Sequence, residues 1–243
     1  MEILDFHTHA PAPGALLSLD IAEIPTVTVA AFCESGDSVS CAPLSLGLHP
    51  WSTARPDAAA LMEKLETLAR SPQVLAIGEA GLDTLRGAPM EIQEELFRRQ
   101  IRLSEQLAKP LIIHLVKALA PLLRIRREER PRQPWVFHGF RANPSVALQL
   151  LRLENRAATQ SNTPRSAAPI YFSLGPKFNP ATAKAIPPDR LLIETDDSGV
   201  PVSEVLGRLA DTLGIPAQLL AARIVTNSSR LLGTAPKEIG HTL

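Results

Sequence analysis

The chain has 243 residues, 45% hydrophobic and 21% charged, with 25 basic against 25 acidic side chains. That length suits one α/β barrel domain, and a net charge of zero removes the chain-wide electrostatic signature of a nucleic-acid binder. Apolar runs such as residues 219–222 fall far short of the roughly 20 residues of a membrane span, and Cys33 and Cys41 form no Cys-x-x-Cys pair, so a reducing cytoplasm without disulfides or membrane contact is expected.

The segment Ile3 to His9 opens the chain with no basic and apolar leader ahead of it, so no secretory signal is expected. As a strand it has period two, which sets Ile3, Asp5, His7 and His9 on one face. A Pro- and Ala-rich stretch follows, then candidate strands at 15–19 and at 26–32, the second β-branched. Too little chain lies here for a full crossover helix, so the first βα unit reads as degenerate. A strand is expected at 43–48, ending in Gly47-Leu48-His49-Pro50, and a helix at 56–70 with Leu61, Leu65 and Leu68 as its apolar stripe. Residues 73–78 read as a strand ending at Glu79. Residues 89–108 read as the clearest helix, with Pro89 and Glu91 early and Arg98, Arg99 and Arg102 later. Strands at 110–113 and 135–137 end at His114 and His138, with helices expected at 116–129 and 144–153. The polar stretch 156–168 reads as an exposed loop insertion. Strands at 170–174 and 190–193 follow, the last ending at Glu194-Thr195-Asp196, and helices at 203–213 and 216–231 close the chain.

Short apolar strands alternating with helices indicate a parallel sheet covered on its outer face. The expectation is a single domain, residues 1–243, forming a somewhat distorted (β/α)8 TIM barrel, in which chemistry sits at the C-terminal strand ends. Of the 6 histidines, all but His241 end an apolar strand. A lone buried histidine is ordinarily satisfied by one hydrogen bond; a set at equivalent places in successive units points to a metal site. His7, His9 and Asp196 would hold one ion, and His114 and His138 a second. Glu79, between them in strand order, would bridge both. Two divalent ions roughly 3.5–4 Å apart with a bridging hydroxide make a hydrolytic site. Asp196 would also orient the water and accept its proton. Imidazole-rich ligation favours zinc, with manganese or magnesium as the other candidates.

These motifs, Asp5-Phe6-His7-Thr8-His9, Gly47-Leu48-His49-Pro50, Ile77-Gly78-Glu79-Ala80-Gly81-Leu82-Asp83, Ile112-Ile113-His114, Phe137-His138-Gly139-Phe140 and Glu194-Thr195-Asp196, resemble the series of the TatD family of metal-dependent hydrolases. The resemblance implies a TIM barrel of the amidohydrolase superfamily, DNase-type activity and the same ligand set. It also implies that His49 helps hold a substrate phosphate, and Asn227 resembles the family's C-terminal Asn. The chain departs where the family has Arg after the strand-five histidine: Val116 stands there, followed by Lys117. Asp197-Ser198 replaces the usual continuation of the last motif, and the variants His114-Leu115-Val116-Lys117 and His138-Gly139-Phe140-Arg141 resemble a shorter bacterial branch of the family.

Lys117 and Arg141 follow ligand histidines and are expected at the barrel mouth, with Arg141 the main phosphate contact. From Arg98 to Arg156 there are 13 Lys/Arg against 4 Glu, a local surplus of 13 − 4 = 9. The expected substrate is a phosphodiester, DNA ends or a small nucleotide, with no obligate protein partner. A hydrolase of a non-phosphate ester, lactone or amide is the alternative, and a non-catalytic scaffold the third reading.

Overall fold

The structure, a computed structural model, describes residues 2–24, 42–159 and 168–234. Its strands are β1 (Asp5–Thr8), β2 (Ala15–Asp20), β3 (Leu44–Gly47), β4 (Val74–Asp83), β5 (Leu111–Val116), β6 (Trp135–Phe137), β7 (Ile170–Leu174) and β8 (Leu191–Ile193). Its helices are α1 (Ala58–Leu68), α2 (Met90–Leu107), α3 (Leu119–Glu129), α4 (Pro144–Thr159), α5 (Pro180–Ala185), α6 (Val202–Leu213) and α7 (Ala217–Leu232). Strands apolar on both faces cannot leave either face in water, so they pair in parallel beneath a coat of helices. Here they close into one barrel in sequence order, β8 returning to β1 through the register pair Asp5↔Ile193. Among the described residues no helix is long and apolar enough to cross a membrane.

The core has two layers. Trp135, Phe137, Phe172 and Leu191 belong to the outer one, packed with helix residues such as Phe97, Leu122 and Ile224. The inner layer joins Leu16, Ala76, Ile112, Val136, Tyr171 and Leu192. Two residues further along β5, β6 and β8 the same inward parity reaches His114, His138 and Glu194. Apolar filling at one end of the barrel thus becomes polar chemistry at the other.

The first unit lacks a crossover helix, as expected. Residues 9–14 return directly to β2, and the Gly14 carbonyl accepts from Leu4 N (2.9 Å) and Asp5 N (3.2 Å). A four-residue strand is short enough for an extended segment of that length to retrace it. The candidate strand at 26–32, both cysteines and His241 lie outside the described residues.

Several elements differ from expectation. β5 runs on to Val116, so the helix expected from residue 116 starts at Leu119. β4 runs on through Glu79 to Asp83, because its pairing with β5 continues to Asp83↔Val116. α4 extends to Thr159, so the expected loop at 156–168 begins as helix; Ala157 and Ala158 are strong helix formers. α5 was not anticipated, although Asn179-Pro180 signals it: the Asn179 side chain accepts from Ala181 N and Thr182 N, and Pro180 sits at the first helical position.

Four arginines of the basic stretch between Arg98 and Arg156 are held in ion pairs on the outside of the barrel. Arg98 meets Glu128 and Glu129, Arg102 meets Glu129, Arg99 meets Glu66, and Arg124 meets Glu94.

Asn227, buried on α7, donates from Nδ2 to the carbonyls of Pro188 (2.9 Å) and Leu191 (2.8 Å), tying the last helix to the start of β8. Asn227→Ala leaves both carbonyls short of a donor and should cost about 1–3 kcal/mol. For a chain of this size the melting temperature should fall by about 2–10 °C. An unchanged melting curve would remove this tie from the account.

Candidate metal centre

Six side chains from β1 and its end, the β3 end, β5, the β6 end and the β8 end gather around the carboxylate of Glu79 on β4. Oε1 lies 2.6 Å from His114 Nδ1, 2.6 Å from His138 Nε2 and 3.0 Å from His49 Nε2. Oε2 lies 3.2 Å from His7 Nε2 and 3.9 Å from His9 Nε2. Asp196 Oδ1 approaches the same pair, 3.4 Å from His9 Nε2 and 3.8 Å from His7 Nε2. The two carboxylate oxygens therefore face two different groups of imidazoles.

Close backbone packing sets this geometry. A Cβ on Gly81 would stand 2.0 Å from the His114 carbonyl, and one on Gly78 would stand 2.5 Å from that of Ile112. Only glycine on either side of Glu79 lets β4 lie so tightly against β5. Asp196 is past the end of β8, in the left-handed region at φ 53°. Its N–H donates to His7 O (2.9 Å), and a parallel bridge joins it to Thr8. Asp5 anchors that junction: its carboxylate accepts from Thr195 N (3.0 Å) and Thr195 Oγ1 (2.7 Å). Asp5, which strand alternation sets on one face with His7 and His9, thus binds Thr195 rather than joining the two histidines. The Asp5 carboxylate is fully engaged in closing the barrel. Burial raises its pKa, the Thr195 hydrogen bonds oppose the shift, and nearby Glu194 adds to it.

The donor set fits a metal. Both ring nitrogens of His7 are buried and without a hydrogen-bond partner, an arrangement that costs free energy unless a ligand uses them. His7, His9 and Glu79 offer ligand atoms within 4.8 Å of one another, as do His7, His138 and Asp196, and His49, Glu79 and His114. Burial pushes Glu79 upward, but the His138 charge and hydrogen bonds from His114, His138 and His49 hold its carboxyl well below the usual range. Burial pushes His138 down, and the Glu79 and Glu194 carboxylates more than reverse it, leaving the ring well above the usual value. At 3.6 Å from His138 Nδ1, Glu194 acts there as a charge rather than as a hydrogen-bond acceptor. Burial likewise raises Asp196, and the His9 hydrogen bond with the His138 and His7 charges brings it below the usual range. His9 is raised, first by its bond to Asp196.

Three residues without an expected role stand behind the ligands. Asp83 Oδ2 lies 3.4 Å from His114 Nε2, on the ring edge away from Glu79. Glu194, fully buried, accepts from Gly139 N (2.5 Å) beside His138. A carboxylate behind a ligating imidazole fixes its orientation and raises its basicity. Both were findable: Asp83 shares strand parity with Glu79, and Glu194 with Asp196. Trp51 is the third; its backbone N–H donates to His49 Nδ1 (3.1 Å). Lys117 and Arg141 are exposed beyond β5 and β6, and each makes no hydrogen bond or ion pair among the described residues.

The TatD-related DNase family matches over residues 26–233. A metal-dependent hydrolase of Buchnera aphidicola is 34% identical over 184 residues, 72% of this chain and 66% of that protein. The 3'-5' ssDNA/RNA exonuclease TatD of Klebsiella pneumoniae is 36% identical over 115 residues, 44% of this chain and 41% of its own length. The chain thus spans just under two thirds of the first and less than half of the second. The crystal structure of Escherichia coli YjjV, a TatD homologue, superposes with a TM-score of 0.70 at 20% identity, over 96% of this chain and 98% of that one, which shows a shared fold.

In chelated protein the cluster's own charges govern pH dependence. Glu79 has a lowered folded pKa, so its contribution is full above the ordinary carboxylate range and lost as pH falls through the lowered value. His138 has a raised one, so its contribution is full below about 6.5 and lost as pH rises through the raised value. Both are full between about pH 4.5 and 6.5, and thermal stability should peak there. Glu79→Gln should flatten the profile; a peak of equal height in that variant would show the cluster is not its source.

Proposed function

Because the chain belongs to the family of TatD-related DNases, we propose that it is a two-metal hydrolase of phosphodiesters, acting on DNA ends or small nucleotides in the cytoplasm. The observation that carries this reading is the division of the Glu79 carboxylate, with Oε1 2.6 Å from His114 and His138 and Oε2 3.2 Å from His7. One ion belongs with His7, His9 and Asp196, the other with His114 and His138, and Glu79 is shared. Zinc suits the imidazole-rich set, with manganese or magnesium as working alternatives. Ions held there would polarise a phosphoryl oxygen and supply an ionised water at neutral pH.

The chain's own residues do the rest. Asp196 is partly exposed at the mouth beside His7 and His9, where its ionised carboxylate is placed to take a proton from water. His49 Nδ1 accepts from the Trp51 N–H, so the neutral ring carries its proton on Nε2, where it donates to Glu79 Oε1 (3.0 Å); a phosphate oxygen beside the ions would take over that donor. Arg141, with a planar fork suited to two phosphate oxygens, is the main phosphate contact, and Lys117 adds a point charge where Val116 stands in place of the usual Arg. The reaction needs no protein partner.

Elemental analysis of the parent should find up to about two transition-metal equivalents per chain. Glu79→Ala should lower both together; an unchanged content would end the bridging assignment. The activity itself is tested on zinc-, manganese- and magnesium-reconstituted protein with a phosphodiester, a phosphomonoester, a lactone and an uncharged ester. The phosphodiester should be preferred, and Asp196→Asn should lower kcat about 10²–10⁴-fold with little change in KM. Arg141→Ala should lose rate on the phosphodiester alone. Turnover confined to the lactone or uncharged ester would transfer the function to the non-phosphate class.

A further inference from the structure

The rim of the barrel beside Glu79 carries an exposed aromatic surface that the proposed chemistry does not use. Trp51 follows His49 in a 3₁₀ turn, and its side chain is 48% exposed. Leu85, across from it in the loop between β4 and α2, is 63% exposed. Both are held by one buried carboxylate. Asp83 Oδ2 accepts from Trp51 Nε1 (2.7 Å), and Asp83 Oδ1 accepts from Leu85 N (2.7 Å).

The backbone beneath is pinned as well. Buried Gln93 donates from Nε2 to the carbonyls of Asp83, Arg86 and Ala88, and Ala88 N donates to Thr53 Oγ1 (3.0 Å). An apolar surface on so fixed a frame is a built feature, since exposed aromatic area is otherwise unfavourable.

Its position defines what it could receive. The indole centroid is 4.8 Å from the His49 ring and 6.0 Å from the His114 ring, both edge-on, and both imidazoles point a nitrogen at Glu79. A flat group on Trp51 would therefore lie one nucleotide's reach from a phosphate at the metal ligands. The Arg86 guanidinium already rests over the indole, 4.2 Å from its centroid. A planar cation occupies the face, and no carboxylate among the described residues holds it there. A single exposed cation–π contact is weaker than stacking of a base on an aromatic ring, so a base can displace it.

We propose that Trp51, framed by Leu85 and Arg86, is the subsite that stacks the nucleobase adjoining the reacting phosphate. Arg86, freed from the ring, becomes a cation beside the nucleotide's phosphate. The inference rests on the phosphodiesterase reading. It deepens it by naming the side chains that hold the base of the nucleotide. Stacking of this kind is tolerant of base identity, because every base has a π-face.

Binding of dAMP and of base-free deoxyribose 5-phosphate to the metal-reconstituted protein, followed by calorimetric titration, tests it without turnover. The parent should bind dAMP about 5- to 100-fold more tightly, the range that one stacked base supplies. Trp51→Ala should abolish the difference, while Trp51→Phe should keep part of it. Trp135, the other of the 2 tryptophans, is fully buried, and its emission reports whether each variant is folded. Equal or absent binding of the two ligands by the parent, or a difference that survives Trp51→Ala, overturns the subsite even if phosphodiesters are hydrolysed. A base preference that depends on Trp51 in a protein that cleaves no phosphodiester upholds the subsite and ends the phosphodiesterase reading instead.

Discussion

The buried carboxylate of Glu79 is the constraint around which this barrel is arranged. An isolated carboxylate so placed would be protonated or would destabilise the fold by several kcal/mol. Here it stays ionised because His114 and His138 approach Oε1 at 2.6 Å and His49 approaches it at 3.0 Å. No single secondary-structure element could supply that environment. The imidazoles come from the end of β3, β5 and the end of β6, so the charge can be satisfied only once the barrel has closed.

Closure in turn relies on polar contacts at the thinnest seam. β8 meets β1 through one register pair, and Asp5 reinforces it by accepting two hydrogen bonds from Thr195, whose hydroxyl oxygen also lies 3.1 Å from Thr8 Oγ1. The same junction delivers Asp196 to His7 and His9. Fold stability and site geometry therefore share residues here, and a change at Asp5 acts on both. On the far side, Gly78 and Gly81 allow β4 and β5 to approach closely enough for Glu79 and His114 to touch.

Behind the ligands, Asp83 and Glu194 play matching parts for His114 and His138. Asp83 does more than orient an imidazole, since the same carboxylate fixes the indole of Trp51 and the loop bearing Leu85. The interior of the site and its rim are thus mechanically joined through one side chain. A substrate held by the rim is registered against the ligands by that joint, which is how remote binding contacts serve chemistry at the reacting atoms.

Much of the architecture was legible in the sequence because period and punctuation are local. Apolar strands ending in His, Glu or Asp, separated by helical stripes, identified the parallel barrel, and the same register named His7, His9, Glu79, His114, His138 and Asp196 as neighbours. Local pattern also explains the misjudged boundaries: nothing nearby shows that β4 continues past Gly78 or that α4 runs to Thr159, because pairing and packing decide where an element stops. Alternation puts Asp5 on the face of His7 and His9 but fixes only that face; which partner a carboxylate finds is decided by the strand that closes beside it, here the one leading to Thr195. The roles of Asp83, Glu194 and Trp51 belong to tertiary structure for the same reason. Each acts through a residue 30 or more positions away, and a hydrogen bond of 3 Å is specified by folded distance, which sequence spacing does not contain.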